Sequence, residues 1–285
     1  MGHHIDQEWS ELTQLTSSDD IPSETSVILG APELGKKEAK KIRRRAVKRL
    51  VALQEALYAQ ATDGVLVVLQ GLDTAGKDGT IRAVFGGVNP QGVKVHGFKV
   101  PTPDEAAHDY LYRIHQAVPA RGEIGVFNRS HYEDLIVPLA TKKMTEKAFM
   151  TRIDEIHEFE SYLLEQKITI VKLYLHVSYE EQGRRLLSRL KNPEKHWKFS
   201  PNDLTTREHF SSFSEAYRRI IPATSFDELP WHIIPADQRW YRNSVASSIV
   251  TEAVAALAPH APEIDIAHIA KIRDELTTEL NDSNY

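Results

Sequence analysis

Short apolar runs and longer stretches of helical periodicity take turns along the chain. Val65 to Leu69 is a continuous, largely β-branched run, the signature of a strand buried on both faces. Four more segments read as strands: Gly92 to Val100, Glu123 to Asn128, Ile168 to Val177 and Trp231 to Pro235. Between them the apolar period becomes helical. Lys36 to Gln60 carries Ile42, Val47, Leu50, Leu53 and Leu57, and Thr145 to Gln166 carries Phe149, Ile153, Ile156 and Phe159. Asp104–Val118, Glu180–Leu190, Arg207–Ile221 and Asn243–Leu257 read as helices too, and Ser200-Pro201 as a helix cap. The alternation predicts an α/β fold with a doubly wound parallel sheet between helices. The order of elements places the folded domain at 36–258. Residues 1–35, polar and acidic, are expected to be flexible, and 259–285 to form a partly helical tail.

The first strand runs into Gly71-Leu-Asp73-Thr-Ala75-Gly76-Lys77-Asp78-Gly79-Thr80, followed by a helical pattern. Strand, glycine-rich turn with Lys, helix is the arrangement that cradles phosphates. Backbone N–H groups and the positive end of the helix dipole face the anion, and the lysine adds a point charge. The spacing Gly71-x4-Gly76-Lys77 matches a P-loop, but Asp78 stands where the metal-binding Ser or Thr belongs. With Asp73 inside the loop, this suggests that a carboxylate takes over part of the metal's ligation.

Asn128-Arg129-Ser130-His131-Tyr132-Glu133-Asp134 follows the strand 123–128. Ligands of open α/β sheets bind beyond the C-terminal ends of the strands, so this segment and the P-loop should share one site. Arg129 suits a moving phosphoryl group, and Glu133 and Asp134 suit a divalent cation. Arg184, Arg185, Arg189, Lys191, Lys195 and Lys198 form a basic cluster fitted to a lid over phosphates, or else an exposed charged helix. Lys94, His96 and Lys99 near the second strand give only a weak pattern.

Composition narrows the setting. The net charge is -5, and an anionic substrate therefore needs a local basic patch. It also argues against a general nucleic-acid binder. One patch is the first half of helix 36–60, from Lys36 to Arg49, which reads equally as a solvated face or as a rim for a polyanion. The chain has no cysteine, no signal peptide and no apolar stretch of membrane-spanning length, which leads to the expectation of a cytoplasmic protein.

Four motifs in order, GLDTAGKDGT, VHGFKVPTPDEAAHDYLYRIHQAVPARGEIGVFNRSHYEDLIV, RLKNPEKHWKFSPNDL and PWHIIPADQRWYRN, resemble polyphosphate kinase family 2 over about residues 36 to 257. The FNRSHYED form is similar to its class III, which acts on nucleoside mono- and diphosphates. The resemblance implies a thymidylate-kinase-like P-loop fold with a helical lid, about 184–210. It also implies Mg²⁺- or Mn²⁺-dependent phosphoryl transfer between inorganic polyphosphate and adenine or guanine nucleotides, in a dimer or tetramer. By position it makes Asp73, Lys77, Arg129 and Asp134 catalytic, with Asp73 and Asp134 on the metal. Phosphates would fall to Gly71, Ala75 to Thr80, Lys94, Lys99 and the lid cations. The nucleotide would fall to Asn128, Arg129, His131 and Glu133. An ATP-dependent nucleotide kinase on the same fold is the rival reading.

Overall fold

The computed structural model describes residues 13–15, 21, 35–198, 204, 207–263 and 265–282. Among the described residues six strands form one sheet in the order β1-β6-β5-β2-β4-β3. They are β1 (Gln14–Leu15), β2 (Gly64–Gln70), β3 (Val93–Gly97), β4 (Ile124–Asn128), β5 (Ile168–His176) and β6 (Trp231–Pro235). All pair in parallel except β1, which runs antiparallel to β6. Every residue of β2 is buried, and β5 is nearly so, as expected of central strands covered on both faces.

The helices are α1 (Lys36–Gln60), α2 (Lys77–Phe85), α3 (Pro103–Ala107), α4 (Tyr112–His115), α5 (Glu133–Ala140), α6 (Glu146–Glu165), α7 (Tyr179–Leu190), α8 (Phe210–Ala223), α9 (Arg239–Ala256) and α10 (Ile266–Asp282). Helix α9 packs on α1, α2, β5 and β6, α6 packs on β5, and α8 packs on α5. Buried residues of α1, Ile42, Ala46, Leu50 and Leu57, keep the helical period read from the sequence and leave Lys36, Lys37, Lys40, Lys41, Arg44 and Arg45 exposed.

Several expectations change. The helix over 104–118 is two short helices with a turn between them. A capping box of Thr102 and Glu105 starts the first, and His108 leaves helical geometry. The second strand stops at Gly97 and lies on the sheet edge, where Val95 is exposed. Glu133 and Asp134, expected at the end of a segment following a strand, begin α5, which carries an internal Pro138. Most of 1–35 and the cap at Ser200-Pro201 lie outside the described residues, but Gln14 and Leu15 make a strand where only flexible chain was expected. Their strand covers the outer edge of β6, with Thr13 Oγ1 3.0 Å from His232 Nδ1 and Ser225 Oγ donating to the Leu15 carbonyl. Among the described residues no helix is long and apolar enough to cross a membrane.

Candidate active site

The P-loop leaves the C-terminal end of β2 and enters α2. Gly71 and Gly76 take positive φ (149° and 107°), and so does Thr74 (65°), a strained value for a β-branched residue. Gly76 caps α2 without a side chain, so the N–H groups of residues 77–79 have no intrahelical acceptor and remain available to an anion. Lys77 lies buried against the loop, its Nζ donating to the Gly71 carbonyl at 2.6 Å. Burial, then the Arg129 cation, pulls its pKa down to about 8, despite Asp73, Glu133 and Asp78.

Arg129 follows β4 with φ of 67°. This left-handed step turns its guanidinium back across the strand ends. Its Nη2 donates to Asp73 Oδ1 at 2.7 Å and its Nη1 to Glu133 Oε2 at 3.2 Å. Burial alone would lower the Arg129 pKa, but Glu133 and Asp73 outweigh it and raise the value, holding the cation charged. Gln70 completes the chain. With its amide oxygen toward Ser130, its nitrogen donates to Glu133 Oε1 at 3.1 Å and to the Tyr217 hydroxyl at 3.2 Å. The same hydroxyl accepts from the Gly71 N–H. Asn128 Nδ2 donates to Asp78 Oδ1 at 2.9 Å, joining β4 to the start of α2.

These contacts bring together Gly71, Asp73, Gly76, Lys77, Asp78, Asn128, Arg129 and Glu133. Other expected residues sit elsewhere. Asp134 makes no bond to Arg129 and lies in the field of Arg152 and Arg113. Burial still raises its pKa. Glu133, one residue earlier, is the carboxylate that reaches the Asp73–Arg129 pair. His131 is fully buried, with Nε2 3.2 Å from Glu160 Oε1, and offers no face to a nucleotide. Lys94 pairs with Glu123 at 2.7 Å near the N-terminal end of its strand, opposite the end that carries the P-loop. Lys99 is exposed just beyond the C-terminal end of β3. The Thr80 hydroxyl bonds back to the Gly76 carbonyl, and the Ala75 N–H is used by the Leu72 carbonyl. Gly79 lies in the first turn of α2 beside Arg242.

Of the cations expected in a lid, Arg184 is exposed and bonded to Glu181 at 2.9 Å, Arg189 is half-buried in the last turn of α7, and Lys191 is exposed just beyond it. The side chains of Lys195 and Lys198 lie outside the described residues. Arg185 is buried instead, and it reaches the Thr74 and Ala75 carbonyls rather than open solvent.

A second set escaped the sequence reading. Below the Arg129 segment, Lys172 of β5 and Glu160 of α6 form a completely buried pair at 2.8 Å. Tyr132 donates to Glu160 Oε1 at 2.8 Å, and Lys172 also donates to the Thr224 carbonyl at 2.8 Å. A lysine in the middle of an apolar strand run was the available signal, since such a charge requires a partner. Tyr217 and Gln70 carried no comparable mark. Arg242 stood in a quoted motif without a role.

The donor set suits a divalent cation held largely by substrate. Asp73 uses one carboxylate oxygen on Arg129 and has no further hydrogen bond among the described residues. No group of three or more His, Cys, Asp or Glu side chains converges among them. One or two carboxylates plus phosphate oxygens is the usual environment of Mg²⁺.

A parallel sheet, a P-loop with its lysine, and an arginine joining that loop to the next strand define a P-loop kinase-like phosphotransferase. The family model for polyphosphate kinase 2 (PPK2) matches residues 33–262, and the chain belongs to that family. It is 46% identical over 246 residues to the AMP/ADP-polyphosphate phosphotransferase of Meiothermus ruber, covering 86% of this chain and 91% of that one. It is 38% identical over 232 residues to the ADP-polyphosphate phosphotransferase of Rhodopseudomonas palustris, covering 77% and 80%. The crystal structure of polyphosphate kinase 2 from Arthrobacter aurescens TC1 superposes with a TM-score of 0.88 at 34% identity, covering 94% of this chain and 97% of that one.

Proposed function

We propose that this enzyme transfers the terminal phosphoryl group of inorganic polyphosphate to AMP and ADP, forming ADP and ATP. The observation that carries the reading is the Asp73–Arg129–Glu133 bridge across the mouth of the P-loop. It sets two carboxylates and a cation where a phosphoryl group held by the loop would travel. The similarity to a protein named for both AMP and ADP supports both acceptors.

In this reading a terminal phosphate oxygen of the nucleotide attacks the terminal phosphorus of polyphosphate in line. The bridging P–O bond breaks, and the shortened polyphosphate leaves with the electron pair. The attacking oxygen is already ionised near neutral pH, so the step needs no strong general base. Positioning and charge neutralisation do most of the catalysis. The N–H groups of residues 77–79 and Lys77 hold phosphate oxygens. Lys77 leaves the Gly71 carbonyl to do so. Arg129 meets the charge on the transferred group, and Asp73 and Glu133 keep it aimed. Asp73, with Glu133 rather than Asp134, would hold Mg²⁺ or Mn²⁺. The ion's chemistry there is to neutralise charge on phosphate oxygens. Arg184 and Arg189 on α7, with Lys191 just beyond it, would attract the polyanion at the rim.

The test is nucleotide analysis of the purified protein with Mg²⁺, long-chain polyphosphate and AMP or ADP, without ATP. ADP and ATP from AMP are expected. ATP from ADP alone removes AMP from the acceptors. No product until ATP is supplied as donor overturns the reading in favour of an ordinary nucleotide kinase.

A further inference from the structure

Two arginines grip the back of the P-loop. Arg185 of α7 donates through Nη1 to the carbonyls of Thr74 and Ala75, both at 2.9 Å. Its Nη2 donates to the carbonyls of Ala236 and Asp237 beyond β6. Its Nε is fixed by Glu181 Oε1 at 2.8 Å. Arg242 of α9 donates through Nη1 to the same Ala75 carbonyl at 2.9 Å. Asn243 Oδ1 receives its Nε and Nη2 at 3.0 and 2.8 Å. Both guanidiniums are buried.

We propose that Arg185 and Arg242 are positioning residues that hold the P-loop in the shape that aims a bound phosphate for transfer and tie the root of the lid helix to it. The proposal rests on the phosphoryl-transfer reading above. A loop whose N–H groups converge on an anion must turn its carbonyls outward, and buried carbonyls need donors. Here the donors are the planar forks of arginine: Arg185 spans the Thr74 and Ala75 carbonyls, and Arg242 joins the Ala75 carbonyl to Asn243, in a fixed plane that a lysine ammonium lacks. The grip falls where the loop is strained: Thr74 has positive φ, and the Arg242 guanidinium occupies the space a Cβ on Gly76 would fill. The arrangement is costly. Burial lowers the Arg242 pKa, and the neighbouring Arg185 and Arg239 cations lower it further. Cations crowded behind an anion-binding loop fit a role in holding that loop. Arg185 also sits on the helix that carries Arg184 and Arg189 and leads to Lys191, so rim and loop share one anchor.

The experiment compares Arg242→Lys, Arg242→Met, Arg242→Ala and Arg185→Lys with the wild type. Each is assayed with polyphosphate and, separately, with ATP as donor, and melting temperatures verify folding. In each of the four, kcat is expected to fall about tenfold or more while KM for polyphosphate stays within about threefold. Millimolar guanidinium is expected to restore Arg242→Ala saturably. Wild-type kcat in Arg242→Met overturns the proposal. So does full activity in Arg242→Lys, which would make bulk charge sufficient. A loss confined to KM for polyphosphate also overturns it, because the arginine would then be a ligand of the chain. Should the Arg242 variants fail to fold, Arg185→Lys, from a different helix, decides on the same criteria. A wild type active with ATP and inert with polyphosphate overturns the proposed donor and leaves every ratio readable with ATP.

Discussion

Arg129 and Asp73, 56 residues apart, meet at 2.7 Å and so lock the end of β4 to the P-loop. Asp73 thereby has two tasks, holding the arginine and offering its remaining oxygen outward. Replacing Arg129 with Ala is expected to lower kcat by at least about tenfold, the scale of a lost transition-state clamp. Asp73→Ala should abolish turnover while the protein stays folded. Steady-state kinetics beside a circular dichroism melt check both, and a fully active Asp73→Ala would remove that residue from the site.

Lys77 gives the enzyme an alkaline limit. Its pKa in the free protein is pulled down to about 8, so above that pH the free site keeps Arg129 charged but loses the Lys77 cation. The kcat/KM for polyphosphate is expected to fall as pH rises through about 8. Stability moves the other way. Below about 8 the lysine is protonated in both folded and unfolded chains. Between there and its ordinary value of 10.5, only the unfolded chain keeps the proton, so folding stability rises with pH. In Lys77→Arg the alkaline limb assigned to this group should disappear from the pH–rate profile.

The buried Glu160–Lys172 pair sets a third expectation. Glu160→Gln leaves Lys172 charged in an apolar surround and should cost about 3–5 kcal/mol in urea unfolding. Burial would raise the Glu160 pKa, yet the Lys172 ammonium and His131 pull it down to about 2. Its contribution is therefore complete above its unfolded value of 4.5, and it is lost as pH falls from there through about 2. Acid titration of the variant should show a shallower loss over that range.

Gly76→Ala tests the loop directly. The new methyl group meets the Arg242 guanidinium, on a backbone with φ of 107° that side chains rarely adopt. Activity should drop about as far as in Arg242→Met or further. Wild-type turnover in Gly76→Ala would show that the loop tolerates a different shape.

Contiguous signals carried most of the fold. The run Val65–Leu69 and the helical period of 36–60 could be read because burial on fixed faces writes a period into the chain. The P-loop, Asn128, Arg129 and Glu133 were legible for a similar reason, lying within a few residues of strand ends. The expected site and the geometry part where neighbours in sequence diverge in space. At the start of α5, one step of the helix sends Glu133 to Arg129 and Asp134 toward Arg152. In α7, Arg184 and Arg185 are equal as letters, yet one lies exposed beside Glu181 and the other is threaded to the loop carbonyls. Arg242 lies 167 residues from the carbonyl it serves, and no local pattern announces such a contact.

The two-residue strand β1 bears on how this protein behaves when shortened. Gln14 and Leu15 occupy the outer hydrogen-bonding edge of β6, whose sequence WHIIP is apolar and buried. The opposite edge, β3, has no further strand beside it among the described residues and carries Lys94 and His96 toward water. Removing residues up to 15 would uncover a flat apolar edge able to recruit strands from other chains. A truncated protein should therefore be lost first to aggregation at high concentration, with its catalytic groups still in place.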